Sequence, residues 1–138
     1  MSTDYISAPL RRLVVERARG RCEYCQISEQ SVLVSHEIDH IIAQKHGGLT
    51  EFDNLALSCT LCNKYKGSDI ASIDPETGHL TFLYHPRRDS WIEHFQQQNA
   101  RFIPLTPVGR VTSRLLQLNH PDRLAERELL IAAGLFVT

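Results

Sequence analysis

The chain has 138 residues, of which 42% are hydrophobic and 22% are charged, and its formal net charge is −1 at pH 7. No stretch approaches the roughly 18 consecutive apolar residues that a membrane span needs, and residues 1–9 lack the basic segment and apolar run of a secretory signal. We therefore expect one compact cytoplasmic domain with no membrane association, and the net charge alone does not indicate a nucleic-acid-binding protein.

The first predicted element is a helix over residues 10–19, where apolar residues recur at spacings of three and four and Gly20 provides the stop. Five arginines fall between Arg11 and Arg21. This cluster is consistent with a surface that binds phosphates and equally consistent with a solvated helix face.

A Cys-x-x-Cys pair follows at Cys22 and Cys25, and a second stands at Cys59 and Cys62. Two residues between thiolates let one tight turn present both sulfurs to one ion, and two such turns complete a tetrahedral site. In a reducing cytoplasm such pairs bind metal more often than they form disulfides. The chain has four cysteines in all, so we expect every one of them to bind a structural Zn²⁺.

Between the two pairs, β-branched residues favour extended structure over residues 31–42. A glycine-containing loop comes next, and a short strand is predicted over residues 55–58. A helix over residues 60–66 closes at Gly67. The predicted unit is strand, loop, strand and helix, with both cysteine turns at its base.

The later residues give a coarser prediction. A strand is expected over residues 80–84 and a helix over residues 89–98. Two more helices are predicted, one from Pro107 to Leu118 and one from Pro121 to Gly134, because proline suits the first helical position. The fold class is therefore α+β.

The segment His36-Glu37-Ile38-Asp39-His40 admits two interpretations. It has the H-E-x-x-H pattern of zinc metallopeptidases, which requires a helix so that both histidines share one face. The flanking β-branched residues favour a strand instead, and no third zinc ligand is evident downstream. A metallopeptidase is therefore the weaker interpretation of this segment.

The other interpretation depends on several short motifs that occur in a fixed order. They are Cys22-Glu23-Tyr24-Cys25, Asp39-His40-Ile41-Ile42, Gly47-Gly48, Asp53-Asn54-Leu55 and Cys59-Thr60-Leu61-Cys62-Asn63. In these residues, which span about Cys22 to Gly67, the chain resembles the HNH endonuclease family. The resemblance implies a ββα-metal fold that holds one catalytic divalent ion between a hairpin and a helix.

Carried across by position, His40 would be the general base and Asn54 would tie down the loop between the strands. Asp39 and Asn63 would bind the catalytic ion, which is Mg²⁺ or a similar divalent cation. Neighbouring residues of a regular strand point to opposite faces, so the resemblance requires the strand to end or bend at Asp39 and His40. His36 shares strand parity with His40 and is either a further ligand of this ion or a packed strand histidine.

The chemistry of these residue types agrees with hydrolysis of a phosphodiester. A hard divalent ion held by a carboxylate and an amide oxygen polarises the phosphoryl group and stabilises the departing oxygen. A neutral histidine can take the proton from an attacking water, which typically contributes about 10²- to 10⁴-fold in rate. We expect a metal-dependent endonuclease that acts on DNA. The alternative is a zinc-knot module that binds nucleic acid or protein without catalysis.

The expected organisation has three segments: an N-terminal helix in residues 1–20, an HNH module in residues 21–70, and a strand with helices in residues 71–138. The last segment is expected to pack on the module, to widen a DNA surface or to mediate self-association as a homodimer. Lys64 and Lys66 lie two apart on the predicted helix and do not share a face, so only one of them needs to contact DNA.

Overall fold

The computed structural model describes residues 5–136 of the chain. It divides into two compact units, with the boundary between Ser68 and Asp69. Across the described residues, helices combine with antiparallel two-stranded sheets. The predicted α+β class is confirmed.

Within residues 5–136, no helix combines the length and the apolar character that crossing a bilayer requires.

The first unit begins with helix α1 (Ala8–Ala18), which starts two residues earlier than predicted. Ser7 caps it, because its hydroxyl accepts a hydrogen bond from a first-turn amide. Val14 on the inner face of α1 packs against Leu55 and Leu57, and these three fully buried side chains form a hydrophobic cluster in the core of the unit.

Strands β1 (Glu37–His40) and β2 (Leu55–Ser58) form an antiparallel hairpin, and helix α2 (Thr60–Lys66) follows directly. In the register of this hairpin, Asp39 lies opposite Ala56. The predicted order of strand, loop, strand and helix is confirmed, and β2 and α2 have the predicted bounds.

Strand β1 is much shorter than the extended segment predicted over residues 31–42. Residues 29–31 form a 3-10 turn, and the side chains of Leu33 and Val34 are exposed. Strand preference is realised only where a partner strand is available. The four residues of β2 pair with residues 37–40 alone, so the preceding β-branched residues remain irregular.

As far as residue 136, the second unit contains two hairpins and three helices. Its elements are β3 (Ala71–Ile73), β4 (Leu80–Phe82), α3 (Trp91–His94), β5 (Phe95–Gln98), β6 (Arg101–Pro104), α4 (Pro107–Leu115) and α5 (Pro121–Ala132). Strand β3 pairs with β4, and β5 pairs with β6. Helices α4 and α5 begin at Pro107 and Pro121 as predicted, but they end at Leu115 and Ala132, before the predicted ends at Leu118 and Gly134. Thr106 caps α4 through a hydrogen bond from the Gly109 amide.

The helix predicted over residues 89–98 is wrong beyond its first turn. Helix α3 ends at His94, and the chain continues as strand β5. Asn99 adopts a left-handed φ of 54° at the turn into β6, a conformation that asparagine tolerates better than most residues. The helical spacing of Trp91 and Phe95 reflects a ring contact, because their centroids lie 5.0 Å apart across the junction of α3 and β5.

Candidate active site and cysteine cluster

The four cysteines come together in the first unit. Their sulfur atoms all lie within 4.8 Å of one another, and the Cys25 and Cys59 sulfurs are 3.6 Å apart. Four thiolates about 2.3 Å from one Zn²⁺ place their sulfurs roughly 3.8 Å apart. The cluster therefore has the size and the donor set of a tetrahedral zinc site, which Cys22, Cys25, Cys59 and Cys62 would hold.

Two similar turns build this cluster. The Cys25 amide donates to the Cys22 sulfur and the Cys62 amide donates to the Cys59 sulfur, each at 3.4 Å. Burial raises the pKa of the Cys22 and Cys62 thiols well above the usual thiol value, whereas a hydrogen bond with Cys22 lowers the pKa of Cys59. Buried thiolates need a compensating positive charge, and a bound Zn²⁺ would supply it.

A pocket of about 360 Å³ lies beside β1 and α2. Asp39, His40 and Asn63 all line it. The remaining lining residues are Ile6, Ile38, Ala43, Gln44, Gly67 and Ser68. Strand β1 ends at His40, so the two neighbouring residues reach one pocket in spite of the alternation expected in a strand. The structure thus gathers the acid, the imidazole and the amide, while their roles in catalysis stay predictions.

Asp39 is buried, and both of its carboxylate oxygens have partners. The Tyr24 hydroxyl donates to Oδ2 at 2.9 Å, and Lys66 Nζ lies 3.2 Å from Oδ1 and 3.1 Å from Oδ2. Burial raises the pKa of Asp39, and the positive charge of Lys66 and the hydrogen bond from Tyr24 oppose that rise. A carboxylate has about four lone-pair positions, so these contacts leave capacity for a cation on the pocket side.

Lys66 is an internal side chain of the site, since only 2% of its surface is exposed. Its ammonium group also donates to the His40 carbonyl at 3.2 Å. Of the two lysines considered for DNA contact, Lys64 alone is exposed. Lys66 instead ties the end of α2 to the end of β1.

The orientation of the Asn63 amide follows from its partner. Asn63 Nδ2 donates to Glu37 Oε1 at 3.1 Å. An ionised carboxylate only accepts hydrogen bonds, so the amide nitrogen faces Glu37 and Oδ1 remains available at the pocket. An amide oxygen is a ligand type that hard divalent cations take in proteins.

The His40 ring is fixed through one nitrogen. Nε2 lies 2.9 Å from the Thr50 hydroxyl oxygen, which also accepts a hydrogen bond from Gln44 Nε2 at 3.3 Å. Within residues 5–136, Nδ1 of His40 has no hydrogen-bond partner. The second nitrogen is therefore the one that can exchange a proton with a bound molecule.

Asn54 holds the loop that follows β1. Its Oδ1 accepts from the Ile42 amide, and its Nδ2 donates to the Ile42 and Leu49 carbonyls, all at 2.9 Å. Gly48 fits closely against this arrangement, because a Cβ added there would lie 1.7 Å from the Ile42 carbonyl oxygen. Asn54 thus contacts the loop and is absent from the pocket lining.

His36 is also absent from the pocket lining. The side chain is 1% exposed, and Nε2 lies 2.9 Å from the Ile27 carbonyl oxygen. Glu37 and His40 belong to a strand, so the helix that a metallopeptidase H-E-x-x-H motif requires is missing and that interpretation is wrong.

Sequence reasoning did not find the contacts that Tyr24 and Thr50 make with the pocket residues. No spacing rule connects either of them to Asp39 or His40, because both contacts depend on side-chain directions fixed by the fold. The contact between Glu37 and Asn63, in contrast, could have been predicted from the sequence pattern. Glu37 and Asp39 share one face of β1 by strand parity, and α2, which carries Asn63, packs on that strand.

Residues 22–69 match the family model described as HNH endonuclease. The chain gives no match among curated proteins or solved structures. The matched segment contains both Cys-x-x-Cys pairs, the β1–β2 hairpin, helix α2 and the three polar residues that converge on the pocket. The match to an HNH endonuclease domain therefore covers the residues that build the cysteine cluster and the three polar residues of the pocket.

Proposed function

We propose that the protein is a metal-dependent endonuclease that hydrolyses phosphodiester bonds in DNA. The observation that supports this most directly is the pocket on which Asp39, His40 and Asn63 converge. The HNH match over residues 22–69 supports nuclease chemistry at the same place.

Asp39 and Asn63 would hold the catalytic cation, which is Mg²⁺ or a similar divalent ion. Their donor set, one carboxylate and one amide oxygen, suits a hard cation and leaves other positions for water and phosphate. When bound, the ion polarises the phosphoryl group and stabilises the charge that develops on the departing oxygen.

His40 would be the general base. With Nε2–H donating to the Thr50 hydroxyl, Nδ1 carries the lone pair that accepts a proton from water. The water oxygen then forms the new bond to phosphorus, and the bond to the departing sugar oxygen breaks. Thr50 would keep the ring in this tautomer and orientation.

The exposed cations of the first unit are candidates for contact with DNA phosphates. Arg11 and Arg12 on α1 and Lys64 on α2 are exposed. Arg17 has a structural role instead, since its guanidinium lies 3.8 Å from the centre of the Phe52 ring and donates to the Phe52 carbonyl at 2.8 Å. Within the arginine cluster, Arg17 therefore contributes to packing, whereas Arg11 and Arg12 contribute to a charged surface.

His40→Ala tests the proposal. We expect the purified variant to nick supercoiled plasmid at least about 100-fold more slowly than the wild type in Mg²⁺ or Mn²⁺, because removing a general base typically costs about 10²- to 10⁴-fold. Zinc content and the far-ultraviolet circular dichroism spectrum should be unchanged. The matched control is His79→Ala, at an exposed histidine, which should cut at the wild-type rate. Cleavage by His40→Ala at that rate would show that the base is assigned wrongly.

One observation favours non-catalytic binding. Lys66 already neutralises Asp39 within the protein, so this carboxylate has a counter-ion without any metal. A binding module predicts that the zinc-loaded protein retards DNA in a gel but never nicks it, at any concentration of Mg²⁺ or Mn²⁺. Nicking by the wild type that Asp39→Ala abolishes would exclude this alternative.

A further inference from the structure

Tyr24 belongs to two sites at once. It stands between Cys22 and Cys25 in the first cysteine turn, and its hydroxyl donates to Asp39 Oδ2 at 2.9 Å. The side chain is 1% exposed, so water does not compete for this hydrogen bond. Tyr24 is therefore a direct link between the cysteine cluster and the carboxylate of the pocket.

The backbone on either side of Tyr24 is fixed against β2. The Glu23 amide donates to the Leu57 carbonyl at 2.8 Å, and Glu23 Oε2 accepts from the Leu57 amide at 2.9 Å. The Cys22 amide donates to the Ile27 carbonyl at 2.9 Å, which closes the turn. The Tyr24 side chain thus projects from a turn that hydrogen bonds hold in place, so the position of its hydroxyl group is fixed.

The Asp39 carboxylate needs such a partner if it is to bind an ion. A carboxylate rotates readily about its last torsion, and the Lys66 ammonium contacts both oxygens nearly equally, at 3.2 Å and 3.1 Å. The contacts of Lys66 therefore do not fix the orientation of the Asp39 carboxylate. The hydroxyl of Tyr24 contacts Oδ2, and this contact leaves Oδ1 as the less occupied oxygen.

We propose that Tyr24 is a positioning residue of the ion site, which orients the Asp39 carboxylate and transmits the geometry of the cysteine cluster to the pocket. The proposal deepens the proposed function, because it takes Asp39 as a ligand of the catalytic ion. Hydrogen-bond partners of metal-binding carboxylates typically contribute about 10- to 100-fold to metal affinity. The cysteine cluster would then tune the pocket as well as stabilise the fold.

Tyr24→Phe in the full-length, zinc-loaded protein removes the hydroxyl and keeps the ring. Without DNA, we expect its dissociation constant for Mn²⁺, measured by calorimetry, to rise about 10-fold or more. The Mn²⁺ concentration for half-maximal nicking should rise in parallel, while the rate at saturating Mn²⁺ changes less. Zinc content should remain one ion per chain. The matched control is Tyr65→Phe, whose hydroxyl has no hydrogen-bond partner within residues 5–136, and it should bind Mn²⁺ like the wild type.

A second measurement on the wild type covers the case in which Tyr24→Phe fails to fold. Binding of Mg²⁺ to Asp39 should change the near-ultraviolet tyrosine absorption, because the acceptor of the Tyr24 hydroxyl changes its charge environment. Tyr65→Phe should retain this difference signal. Its absence from a wild type that binds Mg²⁺ would overturn the proposal.

The outcomes separate this inference from the proposed function. If the wild type binds Mn²⁺ and cuts DNA, and Tyr24→Phe has the same Mn²⁺ affinity, then only the proposed role of Tyr24 is overturned. A wild type that neither binds Mn²⁺ nor cuts DNA overturns both proposals together.

Discussion

The side chains that converge on the pocket are each held by a neighbour of complementary chemistry. Tyr24 and Lys66 donate to Asp39, Asn63 donates to Glu37, and the His40 ring contacts Thr50. Such partners fix the rotamers and tautomers on which a catalytic constellation depends. The partners restrict each group to one presentation toward the pocket, so little reorganisation is needed when a ligand enters.

At the same scale, Gly48 is required by close packing. An added Cβ would lie 1.7 Å from the Ile42 carbonyl oxygen and 2.9 Å from Asn54 Nδ2, and neither atom can move without displacing the loop. We expect Gly48→Ala to lower the free energy of unfolding by about 3 kcal/mol, the upper part of the usual range for overpacking, in urea titrations.

The neighbouring glycine is the matched comparison. A Cβ at Gly47 meets nothing within 4 Å, but its φ of +90° is unfavourable for alanine, so Gly47→Ala should cost only about 1–2 kcal/mol. A Gly48→Ala protein as stable as the wild type would show that the loop is not held as described.

At the element scale, Cys59 belongs both to the four-cysteine cluster and to the N-terminus of helix α2. Its sulfur belongs to the four-cysteine cluster and also caps α2 by accepting a hydrogen bond from the Cys62 amide at 3.4 Å. Serine is a good N-cap residue but a poor zinc ligand. Cys59→Ser therefore separates the two roles.

We expect Cys59→Ser to lose stoichiometric zinc and much of the folding free energy of the first unit, because structural zinc contributes about 10–16 kcal/mol of apparent folding free energy. Zinc analysis and thermal melts followed by far-ultraviolet circular dichroism measure this. The control is Thr60→Ala, at the exposed first residue of α2, which should keep its zinc. A Cys59→Ser protein that retains one tightly bound zinc and the wild-type melting temperature would contradict the assignment.

The sequence determined the elements to different degrees. Strand β2 and helix α2 were predictable to the residue, because a buried strand and a glycine stop leave few alternatives. Strand β5 was not predictable, since Phe95 has helical spacing from Trp91 and only pairing with β6 makes it extended. Motifs in a fixed order were enough to predict Asp39, His40 and Asn63 as site residues. The contact between Tyr24 and Asp39 could be found only in the folded structure.

At the scale of the whole molecule, the two units offer separate reporters. The cysteine cluster lies in the first unit and the single tryptophan, Trp91, lies in the second. The Trp91 ring contacts Phe95 and Phe102, with centroids 5.0 Å and 5.2 Å away. Tryptophan fluorescence therefore reports on the packing of the second unit, and measured zinc content would report on the four-cysteine cluster of the first unit.

An ion pair in the second unit, between Arg110 and Asp74, makes the stability of that unit depend on pH. Arg110 Nε and Nη2 donate to the two oxygens of Asp74, each at 2.9 Å, and the Asp74 side chain is shielded from solvent. The hydrogen bonds from Arg110 hold the pKa of Asp74 well below its usual value of 3.8. A carboxylate with a lowered pKa in the folded state stabilises the fold above the unfolded pKa, and this stabilisation is lost as pH falls through the folded pKa.

Asp74→Asn keeps the shape of the side chain and removes its charge, so we expect a lower melting temperature than the wild type at pH 7, followed by Trp91 fluorescence. The difference should shrink as pH falls from about 4 toward 2, because Asp74 takes up a proton there in the unfolded chain but still resists protonation in the folded protein, which lowers the stability of the wild type. Glu126→Gln on α5, at an exposed position, should melt like the wild type at every pH. A gap between Asp74→Asn and the wild type that stayed constant down to acid pH would mean that shape, and not charge, accounts for the effect. Zinc content should be the same in all three proteins, because the substitutions leave the four cysteines untouched.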